Sequence, residues 1–256
     1  MTTPKPQLIA ILGATKGMGR ALARAAAGRG AKLCLLGRDG DELARSAADL
    51  QVRAAAAGHA GPPPSTILCD LEDPLSHAPA LLAAEAALGG LDVVVVTAGA
   101  FATAAAFDAD LGLAGHVLHL DFTCTILFCE AARLRLLERG GGQLVVFGSV
   151  AGDRGRKPVG IYGAAKAGLH HYLESLDHRF AAAGLRVLTV KPGFVRTGMT
   201  AGLPEPPFAG EPDAVAARVL RAMDRGASVV YAPPIWALVM LVIRWLPRAV
   251  MRRVGF

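Results

Sequence analysis

Tyr162 and Lys166 stand four residues apart in YGAAKAG (162–168), a stretch otherwise made of glycine and alanine. On a helix, positions i and i+4 share a face, so the phenol and the ammonium point the same way. An ammonium beside a phenol favours the phenolate and is expected to lower the tyrosine pKa from its ordinary value of about 10. Such a tyrosine gives a proton to a carbonyl, or takes one from an alcohol, near neutral pH. Gly163, Ala164 and Ala165 leave room for a flat group against that helix. Thirteen residues before the tyrosine, Ser149 ends the apolar run QLVVFGS (143–149), where a hydroxyl can hold a carbonyl oxygen. A Tyr-x-x-x-Lys pair alone arises by chance; a serine at a strand end and a glycine loop at the start of the chain make it specific.

Such a constellation needs a rigid frame. Apolar runs at 7–12, 32–37, 65–70, 91–96, 143–149, 186–190 and 228–232 read as seven strands. They are continuous rather than alternating, the pattern of a parallel sheet covered on both faces. Ala/Leu-rich segments between them are long enough for crossover helices. The expected fold is α/β, a single doubly wound Rossmann-like sheet of seven strands with helices on both faces. Residues 1–232 form that domain and 233–256 a C-terminal tail. The stretch at 54–65, with Pro62–Pro64, is expected to be a loop after the second helix, and the Pro/Gly-rich stretch at 199–212 suits a mobile lid.

Between the first strand and the first helix lies GATKGMGR (13–20), with glycines at 13, 17 and 19. Gly13 suits the positive φ of a tight turn. Gly17 and Gly19 are expected to clear side chains from the approach of a pyrophosphate to a helix N-terminus. After the second strand come Arg38 and Asp39. Arg38 with Lys16 favours a 2′-phosphate, and so NADP(H) over NAD(H), while Asp39 keeps NAD(H) open. Asp70, after the third strand, either accepts from an adenine amino group or caps the next segment.

In their order and spacing, GATKGMGR, TAGA (97–100), Ser149, YGAAK and PGFVRT (192–197) resemble the short-chain dehydrogenase/reductase family over roughly residues 7–232. The resemblance implies hydride transfer with NAD(P). Tyr162 would be the acid/base, Lys166 would tune it and hold the nicotinamide ribose, and Ser149 would orient the substrate. Pro192, Gly193, Val195 and Thr197 would contact the nicotinamide and its carboxamide. Thr15, Met18, Leu71, Ala98 and Gly99 would complete the cofactor contacts. The family also implies a homodimer or homotetramer. Two departures stand out: Thr97 replaces the family's usual asparagine after the fourth strand, and Asp121 stands where an asparagine usually supports the proton relay. Asp121 can still accept from water and pair with Lys166. These departures leave a non-catalytic nucleotide-binding protein at a membrane as the competing reading.

The tail, APPIWALVMLVIRWLPRAVMRRVGF (232–256), has nine uncharged apolar residues at 235–243, too few to cross a bilayer as a simple helix. Arg244, Arg248 and Arg252 follow at four-residue spacing, and Pro247 suits the start of a second short helix. Tryptophans and arginines around an apolar run fit an interfacial helix pair. Packing on a partner subunit, or over the substrate cleft, fits equally. SVAGDRGRKPVGIYGAAKAGL, taken with the tail, is similar to the 2-keto-pentose reductase of the decaprenylphosphoryl-ribose 2-epimerase system. The substrate it implies is lipid-linked, or otherwise an amphipathic ketone or alcohol.

Composition narrows the rest. The 256 residues are 53% hydrophobic, and the net charge is +6. With 5% aromatics and no basic stripe along the body, nucleic acid is not an expected partner. Cys34, Cys69, Cys124 and Cys129 lack C-x-x-C spacing and read as buried thiols in a reducing compartment. The seven histidines, the adjacent His170 and His171 included, show no ligand spacing, so no metal is expected. The polar N-terminus is too short for a signal peptide, and the expected location is the cytoplasm, with peripheral contact at the inner face of a membrane through the tail as the further expectation.

Overall fold

The runs at 8–12 and 93–96 are buried on both faces and carry no polar side chain. In a computed structural model describing residues 6–255, all seven expected strands form. The reading of the N-terminal residues and the last residue of the tail fall outside the described residues. β1 (Leu8–Leu12) leads to α1 (Gly17–Ala27), β2 (Lys32–Gly37), α2 (Gly40–Ala56), β3 (Ser65–Leu68) and α3 (Pro74–Leu88). β4 (Val93–Val96) is followed by α4 (Ala104–Ala109), α5 (Leu111–Leu118), a π-helical turn (His119–Cys124) and α6 (Thr125–Glu138). Then come β5 (Gly142–Phe147), α7 (Gly160–Phe180), β6 (Leu185–Pro192), α8 (Pro212–Asp224) and β7 (Val229–Ala232). The chain closes on α9 (Ile235–Trp245) and α10 (Arg248–Met251).

Every strand pair is parallel, in the order β3-β2-β1-β4-β5-β6-β7. Winding therefore reverses between β1 and β4, and a crevice opens beyond their C-terminal ends, where ligands bind in open α/β sheets. Alternate residues serve opposite layers. Ile9, Ile11, Val93 and Val95 pack with α1, α2 and α8, whereas Leu8, Ala10, Val94 and Val96 pack with α3, α6 and α7. Each fully buried leucine, Leu35 for example, contributes about 1.5–3 kcal/mol by leaving water.

Local signals set the ends. Helix α2 starts where Asp39 accepts a hydrogen bond from the Glu42 N–H and continues through Ala54–Ala56, so the expected loop at 54–65 begins only after those helix-forming alanines. The fifth strand stops at Phe147, which leaves Gly148 and Ser149 beyond the sheet edge. The helical run Leu111–Glu138 is long and apolar enough by composition to cross a membrane. Its Phe128, Cys129, Ala132 and Leu136 are spent on the sheet. All four cysteines are buried free thiols, and burial pushes Cys34 up to about 12.

The tail is packed against the domain. Trp236, Met240 and Ile243 of α9 are buried against Val150, with Phe194 and Tyr231 alongside. The stretch at 199–212, expected as a lid, is tied down. Arg196 pairs with Glu205 and Glu211, the Gly210 N–H donates to Phe194 O at 2.8 Å, and the Trp236 indole donates to Phe208 O at 3.2 Å.

Candidate active site

The glycine turn closes against the sheet. Gly13 has φ +93°, and a Cβ there would stand 2.7 Å from Ala98 N. A Cβ on Gly19 would lie 2.2 Å from Gly13 O. Gly19 therefore serves the close packing of α1 on the turn while also lining the cleft beyond it. Gly17, at φ +50°, faces Thr197. The Thr97 hydroxyl lies 3.0 Å from both Leu12 O and Gly13 O, to which it donates, pinning the end of β4 to the turn. Thr97 thus does a structural job at the position of the family's asparagine.

Beyond this turn lies a cleft of about 560 Å³. Gly13, Thr15, Lys16, Gly17, Met18 and Gly19 form one wall. Arg38, Asp70 and Leu71 line the far end, and Ala98, Gly99 and Thr197 the near one. Lys16 and Arg38 are exposed, Arg38 by 76% of its side chain and 4.0 Å from Glu72. Asp39 spends its carboxylate on the α2 N-terminus, at 3.0 Å from the Glu42 N–H. Asp70 accepts from the Glu72 N–H at 3.0 Å, so it caps the next turn and lines the cleft at once. Backbone N–H groups at the start of α1, glycines without side chains and two exposed cations fit an elongated dianionic dinucleotide.

Gly99 joins the cleft to the catalytic pair: a Cβ there would be 2.8 Å from Asp121 Oδ1 and 3.5 Å from Lys166 Nζ. The π-helical turn carries Asp121 to this point. Its Oδ1 accepts from the Ala100 N–H at 2.8 Å, and its Oδ2 lies 3.3 Å from Lys166 Nζ. Both side chains are buried, and Asp121 Oδ2 has no hydrogen-bond donor aligned on it. Burial works against the Lys166 charge, but Asp121 and Tyr162 outweigh it, and the ammonium pKa is raised. Lys166 Nζ stands 5.6 Å from the centre of the Tyr162 ring, and Phe101 meets that ring edge-on at 5.0 Å.

Burial pushes the Tyr162 phenol above its ordinary pKa. Lys166 pulls it down, Asp121 pushes it up, and a hydrogen bond with Ser149 pulls it down, with burial prevailing. The expectation of a lowered pKa is therefore corrected. A phenolate is poorly solvated here, and Asp121 offsets much of the ammonium's field. At neutral pH the phenol keeps its proton. The bare glycine and alanine of α7 also serve packing: a Cβ on Gly163 would meet Ala151 O at 2.9 Å. That close approach brings the Ser149 loop onto the tyrosine.

Residues 7–207 match the short chain dehydrogenase family. The chain belongs to the short-chain dehydrogenase/reductase family. It is 34% identical over 247 residues to an uncharacterised oxidoreductase of Mycobacterium tuberculosis, covering 96% of each chain. It is 34% identical over 196 residues to 2-(S)-hydroxypropyl-CoM dehydrogenase 3 of Xanthobacter autotrophicus, covering 76% of this chain and 74% of that one. A solved short-chain dehydrogenase/reductase from Mycobacterium ulcerans shares the fold with a TM-score of 0.77 at 21% identity, covering 90% of this chain and 89% of the other. As a short-chain dehydrogenase/reductase, the protein is an NAD(P)-dependent oxidoreductase acting on a CH–OH/C=O group.

Pro192, Gly193 and Val195 lie outside the lining of the cleft, as do Ser149, Tyr162 and Lys166. Pro192 ends β6 and is buried, and Val195 is buried with its carbonyl accepting from the Thr200 hydroxyl at 2.7 Å. Gly193 makes room for Trp236, whose Nε1 would lie 2.1 Å from a Cβ there. These three shape the segment that delivers Thr197. Sequence reasoning missed His170, read only as a histidine without ligand spacing. It is bound to the Ser149 loop, and it lies four residues after Lys166 and eight after Tyr162, on the same helix face. That spacing was the available signal. No spacing signalled Asp153, which holds the loop from below with its side chain 2% exposed.

Proposed function

We propose that this short-chain dehydrogenase/reductase is an NADP(H)-preferring ketone reductase acting on a lipid-linked keto-sugar or another amphipathic ketone at the inner face of a membrane. The observation that carries the reading is geometric: Asp121, Lys166 and Tyr162 stand together beside Gly99 at the end of the dinucleotide cleft, and burial holds the Tyr162 phenol above its ordinary pKa. NADPH supplies a hydride to the carbonyl carbon when bound. Tyr162 gives its proton to the carbonyl oxygen. Ser149 Oγ accepts from the Ala151 N–H at 3.1 Å, and its own hydrogen, which eases the Tyr162 pKa down, is the one it turns to that oxygen. Lys166 stabilises the phenolate left behind. Preference for NADP(H) is supported by exposed Arg38 and Lys16 in the cleft, with Asp39 engaged as a helix cap.

The amphipathic substrate is supported by the two faces of α9. One is buried beside the catalytic loop; the other presents Leu238, Leu241, Val242 and Trp245, the last 81% exposed. Arg248, Arg252 and Arg253 follow, exposed, and each arginine near an anionic surface contributes about 1 kcal/mol. The similarity of the catalytic loop and tail to a polyprenyl-phosphate keto-pentose reductase sharpens the substrate class. Exposed Leu127 and Leu134, seven residues apart on α6, suit a homodimer or homotetramer.

NADPH oxidation should be followed with a polyprenyl-phosphate 2-keto-pentose in anionic liposomes and with water-soluble ketones. The expected result is preferential turnover of the lipid-linked ketone, lost together with liposome flotation when Leu238, Leu241 and Trp245 are changed to serine. Deleting the tail is a poorer test, because it would uncover Val150 beside the catalytic serine. Equal flotation of both proteins, with no preference between ketones, would overturn the lipid reading.

A further inference from the structure

On α7 the Tyr162 phenol, the Lys166 ammonium and the His170 imidazole follow at four-residue intervals on one face. The imidazole sits in a space that only two glycines leave open. A Cβ on Gly148 would stand 2.2 Å from His170 Nε2, and one on Gly152 would stand 2.8 Å from its Cε1. The backbone N–H of Ser149 donates to His170 Nε2 at 3.3 Å. A ring nitrogen that accepts carries no proton, so the neutral ring must be the Nδ1–H tautomer. Its Nδ1 faces Asp153 Oδ1 at 3.6 Å. Asp153 is held in turn by Lys191 Nζ at 2.6 Å and the Tyr231 hydroxyl at 2.6 Å. This cluster lies behind the serine, away from the cleft, and proton transfer does not use it.

We infer that His170 is a positioning residue: its unprotonated Nε2 holds the Ser149 backbone, and with it the hydroxyl that orients the ketone oxygen, and protonation of the ring releases that hold. The role of Ser149 here rests on the reductase reading above. An imidazolium would turn Nε2–H against the Ser149 N–H, donor against donor, in a space too tight for the ring to turn aside. Four charged or titratable groups surround the ring. Asp153, on the serine loop, favours the imidazolium. Lys191 on β6 and Lys166 one turn earlier on α7 oppose it, and Tyr231 on β7 reaches the ring only through Asp153. Burial is the largest influence and, with the two lysines, holds the His170 pKa below 6.5. The sign follows. The ring is neutral and the serine held at neutral pH; the hold is lost as pH falls through the lowered pKa.

Two measurements test this. First, ¹H–¹⁵N spectra of histidine-labelled protein from pH 5 to 8, with His170→Gln assigning the signals, should show a neutral Nδ1–H tautomer at pH 7.5 that titrates below pH 6.5. The Ser149 amide should shift along with it. An Nε2–H tautomer or an imidazolium at pH 7.5 would overturn the inference. Second, kcat/KM for ketone reduction should fall about tenfold per pH unit below that pKa in the wild type. The His170→Gln variant keeps an acceptor and cannot titrate, so its profile should stay flat, whereas His170→Phe should lower kcat at every pH with NADPH affinity unchanged. Identical acid limbs in wild type and His170→Gln would overturn the inference while leaving the reductase reading intact. A wild type that reduces no ketone would sink the reductase reading instead, and the tautomer measurement would then judge the imidazole alone.

Discussion

The dinucleotide cleft and the catalytic face meet at Gly99 yet are built in opposite ways. The cleft is made of local turns: glycines at 13, 17 and 19, helix starts, and side chains such as Lys16 and Arg38 that stay in water. The catalytic face is made of buried charges drawn from distant segments. Asp121 comes from the π-helical turn, Tyr162, Lys166 and His170 from α7, Asp153 from the serine loop and Lys191 from β6. Helix α9 closes over the back of that face through Val150, and Arg154 donates to Leu246 O at 3.0 Å. A cleft built from local turns accepts a ligand with little rearrangement. A face built from interlocked charges sets the protonation states on which the chemistry depends, and ties them to the tail.

The largest disturbance expected from the cleft side is Gly19→Val. Its side chain would meet Gly13 O and Thr97 Oγ1 at once. Such overpacking costs about 1–3 kcal/mol, and a distortion of that size in the turn should weaken NADPH about 5–150-fold in fluorescence titration. The Ser149 amide should not shift, and if it did the two regions would not be separable. A smaller effect is expected from Arg38→Ala, which removes an exposed cation facing the 2′-phosphate end. NADPH affinity should fall about tenfold and NADH affinity should stay unchanged. Equal loss for both cofactors would place Arg38 outside the 2′-phosphate contact and return the choice of cofactor to Asp39.

This contrast also explains what could be read from the sequence. All seven strands and the glycine turn were legible because strand hydrophobicity and turn chemistry are local, and Tyr162 and Lys166 were legible because four-residue spacing is a property of one helix. The raised pKa of Tyr162 was not, since it depends on burial and on Asp121, forty-one residues away in sequence. The packing of Gly19 against Gly13 O was equally hidden, because spacing does not say which atom a missing side chain would strike. Likewise Trp236 and Met240 fitted an interfacial segment and a cover over the protein equally, and only the fold shows them spent on Val150. His170 lay in plain view at the third position of an i, i+4, i+8 series, but the Ser149 N–H that it accepts from belongs to another segment.

The central claim is that a protonated Tyr162 delivers the proton as the ketone is reduced. Single-turnover NADPH oxidation by wild type and Tyr162→Phe, with NADPH affinity measured in parallel, tests it most directly. Loss of one hydroxyl should slow turnover about 10²–10⁴-fold with cofactor binding unchanged. The wild-type rate should also hold level as pH rises from 7 to 9, because a phenol whose pKa is raised above 10 keeps its proton throughout that range. Equal rates in the two proteins, or a wild-type rate that declines across that range, would contradict the account.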